Sequence, residues 1–171
     1  MRRALSRTFA LNLVQRRAAA VVGGRIFLGS PTGPLAPPLD VRGGVNDLVF
    51  SPDGAHLAVA SDDGTVRVWS VPGGDLALSR HCHAGRHRST GPNGAVAVRF
   101  SPDGRLLASG GGDRAVRVWR TDTWTEVATL RGHGGPVTAL AFSADGRALV
   151  SGSADSSALV WEVSVARPDP R

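Results

Sequence analysis

The chain contains no lysine, no tyrosine, one methionine and one cysteine, Cys82, among its 171 residues. A single cysteine excludes an internal disulfide framework, so a reducing, cytoplasmic setting is the expectation. No run approaches the roughly 18 consecutive apolar residues that a membrane-crossing helix needs, so a soluble chain without a membrane partner is expected. Because lysine is missing, all 20 basic side chains are Arg. They are scattered through every segment, which points to coding bias rather than to a designed cationic surface. The net charge of +6 is compatible with an acidic or nucleic-acid partner. It forms no stripe, however. The densest stretches are Arg2 to Arg17 and Arg80 to Arg88, and the segments between them carry Asp in nearly equal measure.

Against these shortages stand 22 Gly and 11 Pro, a composition of many turns and short strands. Internal repeats organise them. Phe50-Ser51-Pro52-Asp53-Gly54, Phe100-Ser101-Pro102-Asp103-Gly104 and Phe142-Ser143-Ala144-Asp145-Gly146 each lie 19 positions before a tryptophan, Trp69, Trp119 and Trp161. The Phe-to-Phe periods are 50 and 42 residues. Before each Phe runs a short alternating segment such as Val137 to Phe142, read as a strand. The Ser-Pro-Asp-Gly step then turns the chain, Pro presetting φ and Gly supplying a positive one. A small-residue strand follows (Leu106 to Ser109), then a second turn at Asp62 to Gly64, Gly111 to Asp113 and Ala154 to Ser156. A third strand ends at the tryptophan, and Glu126 to Leu130 suits a fourth. Four antiparallel strands per repeat of roughly 40 to 45 residues is the signature of an all-β propeller blade.

These residues resemble the WD40 family over residues 44–163, divided as 44–80, 94–130 and 135–163 with an inserted loop over 72–94. The resemblance implies four-stranded antiparallel blades, about three of them, hence an incomplete or oligomer-completed propeller. It also implies a structural hydrogen-bonded chain from His through Ser and Asp to Trp. By position the last repeat holds the whole set, His133, Ser151, Asp155 and Trp161. The middle repeat keeps Ser109, Asp113 and Trp119, with no His at the matching place. The first keeps Asp63 and Trp69, with Val59 where Ser would stand. The His–Ser–Asp grouping is of hydrolase type by residue identity alone. A nucleophile would also need exposure and an oxyanion hole, and the partial recurrence of the set at repeat spacing marks it as structural.

Residues 23–43 read as a degenerate blade remnant, with Leu28 at the Trp position and Pro34 to Leu39 as an outer strand at a sheet edge. The resemblance permits that N-terminal outer strand to complete the last blade, closing the ring. Residues 1–22 form a basic tail. Leu5, Phe9 and Leu13 fall at four-residue spacing, which allows an amphipathic helix like that of a mitochondrial transit peptide. The alternative is an eroded blade with Ala18 to Val22 as its second strand. Residues 164–171 are a C-terminal tail. In the insertion, His81, Cys82, His83 and His87 could ligate zinc, but no second cluster accompanies them and three Arg oppose a cation. A solvated loop is therefore expected and no metal. Gly110 to Gly112 reads as a tight turn rather than a phosphate cradle, since no Lys-Ser/Thr pair follows.

The function expected is a non-catalytic protein-interaction scaffold, with no cofactor and with a protein partner, and with a homo-oligomer as one route to a complete ring. Recognition belongs on loops held by a rigid frame. Those entering the first strand and leaving the second carry Asn46, His87, Arg88, Asn93, Arg114, His133, Thr138 and Ser156, and Arg88, Asn93, Arg114 and Thr138 are the candidate partner contacts. Two other classes stand beside this one. The repeats could be the regulatory or sensory part of a larger bacterial signalling enzyme, or a weak nucleic-acid binder acting through the Arg-rich segments.

Overall fold

The computed structural model describes residues 9–163 except 14, 35, 36, 42, 72 and 84–93. The architecture is all-β, with four antiparallel sheets in chain order. Sheet 1 holds β1 (Phe9–Asn12), β2 (Arg17–Val22) and β3 (Arg25–Ser30), with two short edge strands, β4 (Gly33–Pro34) and β5 (Leu39–Asp40), both paired with β3. Sheet 2 is β6 (Val45–Phe50), β7 (His56–Ser61), β8 (Thr65–Ser70) and β9 (Leu76–His81). Sheet 3 is β10 (Ala95–Phe100), β11 (Leu106–Gly111), β12 (Ala115–Arg120) and β13 (Glu126–Arg131). Sheet 4 has three strands among the described residues, β14 (Val137–Phe142), β15 (Ala148–Ser153) and β16 (Ala158–Glu162). No helix of the described residues is long and apolar enough to cross a membrane.

The cores lie between the sheets. Ile26 and Leu28 of sheet 1 meet Leu48, Phe50, Leu57 and Trp69 of sheet 2. Ala58, Val66 and Val68 on the other face of sheet 2 meet Val98, Leu107 and Trp119 of sheet 3. Val116 and Val118 then meet Leu140 and Leu149 of sheet 4. The first strand of each sheet packs on the first strand of its neighbour. Together β1, β6, β10 and β14 surround an open cavity of about 580 Å³, lined among others by Leu11, Phe50, Phe100 and Phe142.

The repeated turn is held by more than Pro and Gly. In each copy the serine hydroxyl donates to the aspartate two residues on, Ser51 to Asp53 at 2.5 Å, Ser101 to Asp103 at 2.6 Å and Ser143 to Asp145 at 2.6 Å. The same hydroxyls accept the amides that begin the next strand, at 2.9 Å in each case. Gly54, Gly104 and Gly146 take φ of 69°, 72° and 71°, the left-handed step the turn demands.

Four expectations are corrected. Residues 9–22 are strands rather than a helix: Phe9 to Asn12 alternates exposed and buried positions, and Gly23 and Gly24, at φ 60° and 80°, turn β2 into β3. The N-terminal strands do not complete the last sheet; they form a sheet of their own, so the remnant is a blade in its own right. Leu28 does not stand at the Trp position. It pairs with Ala19 as Val68 pairs with Ala58, and both face the following sheet, which leaves Gly29 at the tryptophan register. The turn between β2 and β3 is one residue shorter than its counterpart, and a one-residue slip reverses every face. Finally, Gly110 and Gly111 belong to β11 and only Gly112 lies in the turn.

Those two strand glycines are there for close approach. A Cβ on Gly110 would sit 2.5 Å from Val137 Cγ1 of sheet 4, and one on Gly111 would overlap the Gly94 carbonyl and lie 2.6 Å from His83 Cβ. A Cβ on Gly152 would make only an ordinary 3.6 Å contact with Ala139. Gly111→Ala should therefore cost on the order of 1–3 kcal/mol as an overpacked core does, read as a lower melting temperature. Gly152→Ala should leave the melting temperature nearly unchanged. Equal behaviour of the two variants would show that the glycine run is not a packing feature.

Candidate interaction face and its buried supports

Beneath the loop end of sheet 3 runs a continuous hydrogen-bonded relay. Trp119 Nε1 donates to Ser109 Oγ at 3.2 Å, Ser109 Oγ lies 2.9 Å from His83 Nε2, and His83 Nδ1 lies 2.8 Å from Asp113 Oδ1. Every atom is satisfied when the neutral imidazole carries its proton on Nδ1: the serine then accepts from the indole and donates to Nε2. Arg117 Nη1 closes the chain on Asp113 Oδ2 at 2.6 Å. His83 and Ser109 are fully buried. The serine has no free access to a substrate carbonyl, so the grouping acts as a brace.

His83 was not part of the site read from the sequence, which gave the middle repeat no histidine and placed His81 to His83 in a solvated loop. The structure corrects both. Gly44, Gly94 and Pro136 play the same part, their carbonyls accepting from Asp62, Gly112 and Ala154 amides. His133 stands three residues before Pro136, while His83 stands eleven before Gly94. The eight-residue excess of the longer repeat thus falls between the histidine and its strand, and ungapped spacing pointed to the wrong residue. Cys82 beside it is half-buried against the sheet 2–sheet 3 core, and burial pushes its thiol up to about 11. His81 is exposed at the end of β9. Among the described residues no group of His, Cys, Asp or Glu is arranged to hold a metal ion.

Sheet 4 solves the same problem differently. Trp161 Nε1 donates to Ser151 Oγ at 2.7 Å, and Ser151 lies 2.7 Å from His133 Nε2. His133 Nδ1 then meets Ser157 Oγ at 2.9 Å, while Asp155 Oδ2 is 3.7 Å away. The aspartate expected on the histidine accepts instead from the Gly134 and Gly135 amides, at 2.5 and 3.1 Å. Leu159 stands where Arg117 stands in sheet 3, so no guanidinium draws the carboxylate into place. In sheet 2 Val59 replaces Ser, and Val41, three before Gly44, replaces His; both are buried beside Trp69. Asp63 is clamped by Arg67 at 2.7 Å.

The electrostatics follow from burial. Desolvation would raise the Asp113 carboxyl, but the hydrogen bonds and charges of His83 and Arg117 outweigh it and hold the group well below the usual carboxylate range. Burial pushes the His83 imidazole below its ordinary value, with Asp113 opposing. At Asp155 the Ser157 hydroxyl leads the causes that lower the carboxyl.

Two of the candidate contacts, Arg114 and Thr138, sit at the end of the array where the first strands begin. Arg114 is exposed in the β11–β12 turn at φ 67°, where sheet 2 has Gly64 at 82° and sheet 4 has Ser156 at 69°. Thr138 is exposed at the start of β14, its hydroxyl 3.4 Å from the Gly152 carbonyl. Asn46, at the matching place on β6, is tied to the Ala95 carbonyl at 2.8 Å. His87, Arg88 and Asn93 lie outside the described residues. The apolar cavity opens at the opposite end, where the first strands finish.

Two outcomes test the relay. Ser109→Ala strands the Trp119 N–H and His83 Nε2, and should cost about 1–3 kcal/mol, the penalty of unmet buried polar groups. The pH dependence has a definite sign. A depressed His83 pKa means that the unfolded chain binds the proton more readily, so stability is full above the unfolded value near 6.5 and is lost as pH falls toward the folded value. The melting temperature should drop between pH 7.5 and 5.5, and His83→Gln should flatten that drop. Parallel profiles for the two proteins would remove His83 from the explanation.

The family model described as "WD domain, G-beta repeat" matches residues 39–70, 85–120 and 124–162. The human WD repeat-containing protein 86 is 46% identical over 44 residues, a stretch covering 26% of this chain and 12% of that protein. The chain thus matches only a small part of that relative's length. With the family model covering well over half of the residues, and its three matches each spanning the first three strands of sheet 2, 3 or 4, the chain belongs to the WD40-repeat family.

Proposed function

We propose that the chain is a non-catalytic protein-interaction scaffold whose partner docks at the loop end of the array, on Arg114 and Thr138 together with Arg88 and Asn93 of the insertion. WD40 repeats generally serve protein interaction, and the finer reading rests on Arg114. Its backbone occupies the left-handed region, where a side chain other than glycine costs on the order of 1 kcal/mol. The equivalent turn of sheet 2 avoids that cost with Gly64. An exposed guanidinium held on a strained turn, outside the buried relay, is best accounted for by recognition. The insertion leaves His83 and returns at Gly94, both at this same end, and Arg88 and Asn93 enter the proposal by their place in its sequence.

The charge pattern supports a protein partner over a nucleic acid. Arg67, Arg117, Arg99 and Arg25 are each paired with an aspartate, at 2.5 to 2.7 Å, which leaves less unopposed positive charge for a phosphate backbone.

Two substitutions separate recognition from stability. Arg114→Gly relieves the turn, and should keep or raise the melting temperature while weakening partner capture from a cell lysate. Arg114→Glu should weaken the same capture further. An unchanged set of captured proteins for both variants would remove this face from the reading.

A further inference from the structure

The two outermost sheets each leave bare one half of an interface that the chain forms three times internally. Val150 and Val160 of sheet 4 hold the positions of Ala108 and Val118 in sheet 3 and of Ala58 and Val68 in sheet 2. Those interior residues are at most 2% exposed, because the following sheet covers them, whereas Val150 is 39% and Val160 72% exposed. Ala139, Ala141 and Ala158 extend the same bare face. At the other end Phe9 and Leu11 of sheet 1 hold the positions of Leu48 and Phe50, which in sheet 2 face the preceding sheet. They are 66% and 58% exposed, and Ala18, Ala20 and Phe27 share their face. Although sheets 1 and 4 both border the central cavity, they do not cover one another.

We infer that a second copy of this chain covers both faces, sheet 4 of each copy stacking head-to-tail on sheet 1 of the other. The occupant follows from continuity with the existing interface. A face built to receive a following sheet and a face built to receive a preceding one are complementary to each other and not to themselves. Copy number follows from ring size. Propellers close with about four to eight blades; the described residues of one copy supply four sheets with bare end faces, those of two supply eight, and those of three exceed the range. The contact surface is distinct from the loop end, so its failure and that of the partner-docking reading are separable.

Light scattering on the eluting full chain tests this, with variants Leu11→Arg and Val160→Arg. Both positions are exposed, so circular dichroism and melting temperature should confirm that each variant folds. The unaltered chain should run at twice 17.7 kDa, and each variant alone at the single mass. Their equimolar mixture should return to twice the single mass, because the intact sheet 4 of Leu11→Arg meets the intact sheet 1 of Val160→Arg. A single-mass parent chain at all concentrations overturns the inference, as does a ladder of larger masses. So does a Val160→Arg variant that still dimerises, or a mixture that stays at the single mass.

Discussion

A four-stranded antiparallel sheet has two faces and too few residues to enclose a core, so each sheet must be buried by its neighbours. Most of what distinguishes this chain from an arbitrary set of hairpins follows from that demand. Leucines, valines and tryptophans stand on the two faces of each interior sheet in alternation, one set for the preceding sheet and one for the following. Two strand glycines stand where a neighbouring sheet or loop comes too close for a Cβ, Gly110 against Val137 and Gly111 against His83. Serine and aspartate return at the first turn of sheets 2, 3 and 4 because that turn must release the chain into the second strand at the same angle each time.

The relay under the loop end shows how one structural need admits several chemical answers. A tryptophan at the inter-sheet boundary brings an indole N–H into low dielectric, where an unmet donor is costly. Sheet 3 meets the need with a serine, a histidine and an aspartate clamped by Arg117; sheet 4 passes the histidine to Ser157 because Leu159 cannot hold the aspartate. Sheet 2 surrounds its tryptophan with Val41 and Val59 and relies on packing. The polar versions add direction as well as energy, since an imidazole hydrogen-bonded on both nitrogens fixes the approach of the loop that carries it. His83 therefore anchors one end of the insertion to the core of sheet 3.

The repeats were legible because side-chain identity recurred at a fixed distance: Phe to Trp is 19 positions in each of sheets 2, 3 and 4. What could not be read was anything displaced by a change of length. Eight additional residues hid His83, since spacing counted back from Phe100 lands on Gly91. One fewer residue in the β2–β3 turn exchanged the faces of β3 and moved Leu28 from the tryptophan register to that of Val68. The four-residue spacing of Leu5, Phe9 and Leu13 pointed to a helix because three positions fit many periods, and the decisive term, burial of Ala10 and Ala19 against sheet 2, is a tertiary one. Alternation over Phe9 to Asn12, and the Gly23-Gly24 pair, were the signals that carried the correct answer.

Length changes are tolerated unevenly, and the unevenness separates frame from function. The Phe-to-Trp distance does not vary between the three repeats, because both residues are fixed by contacts to the sheets on either side. The step from histidine to first strand varies by eight residues, because its two ends are held independently, one by the relay and the other by the Gly94 carbonyl. The closure cost of a loop grows only slowly with its length, so that step can lengthen with little loss of stability. The same reasoning covers Arg114: the strain of its turn is local, bounded by Asp113 on one side and the buried Ala115 on the other, so the sheet beneath can bear it without distortion. Surfaces that must stay constant lie between sheets, surfaces free to vary lie at the loop end, and specificity for a partner can change there while the stacking that holds the array together does not.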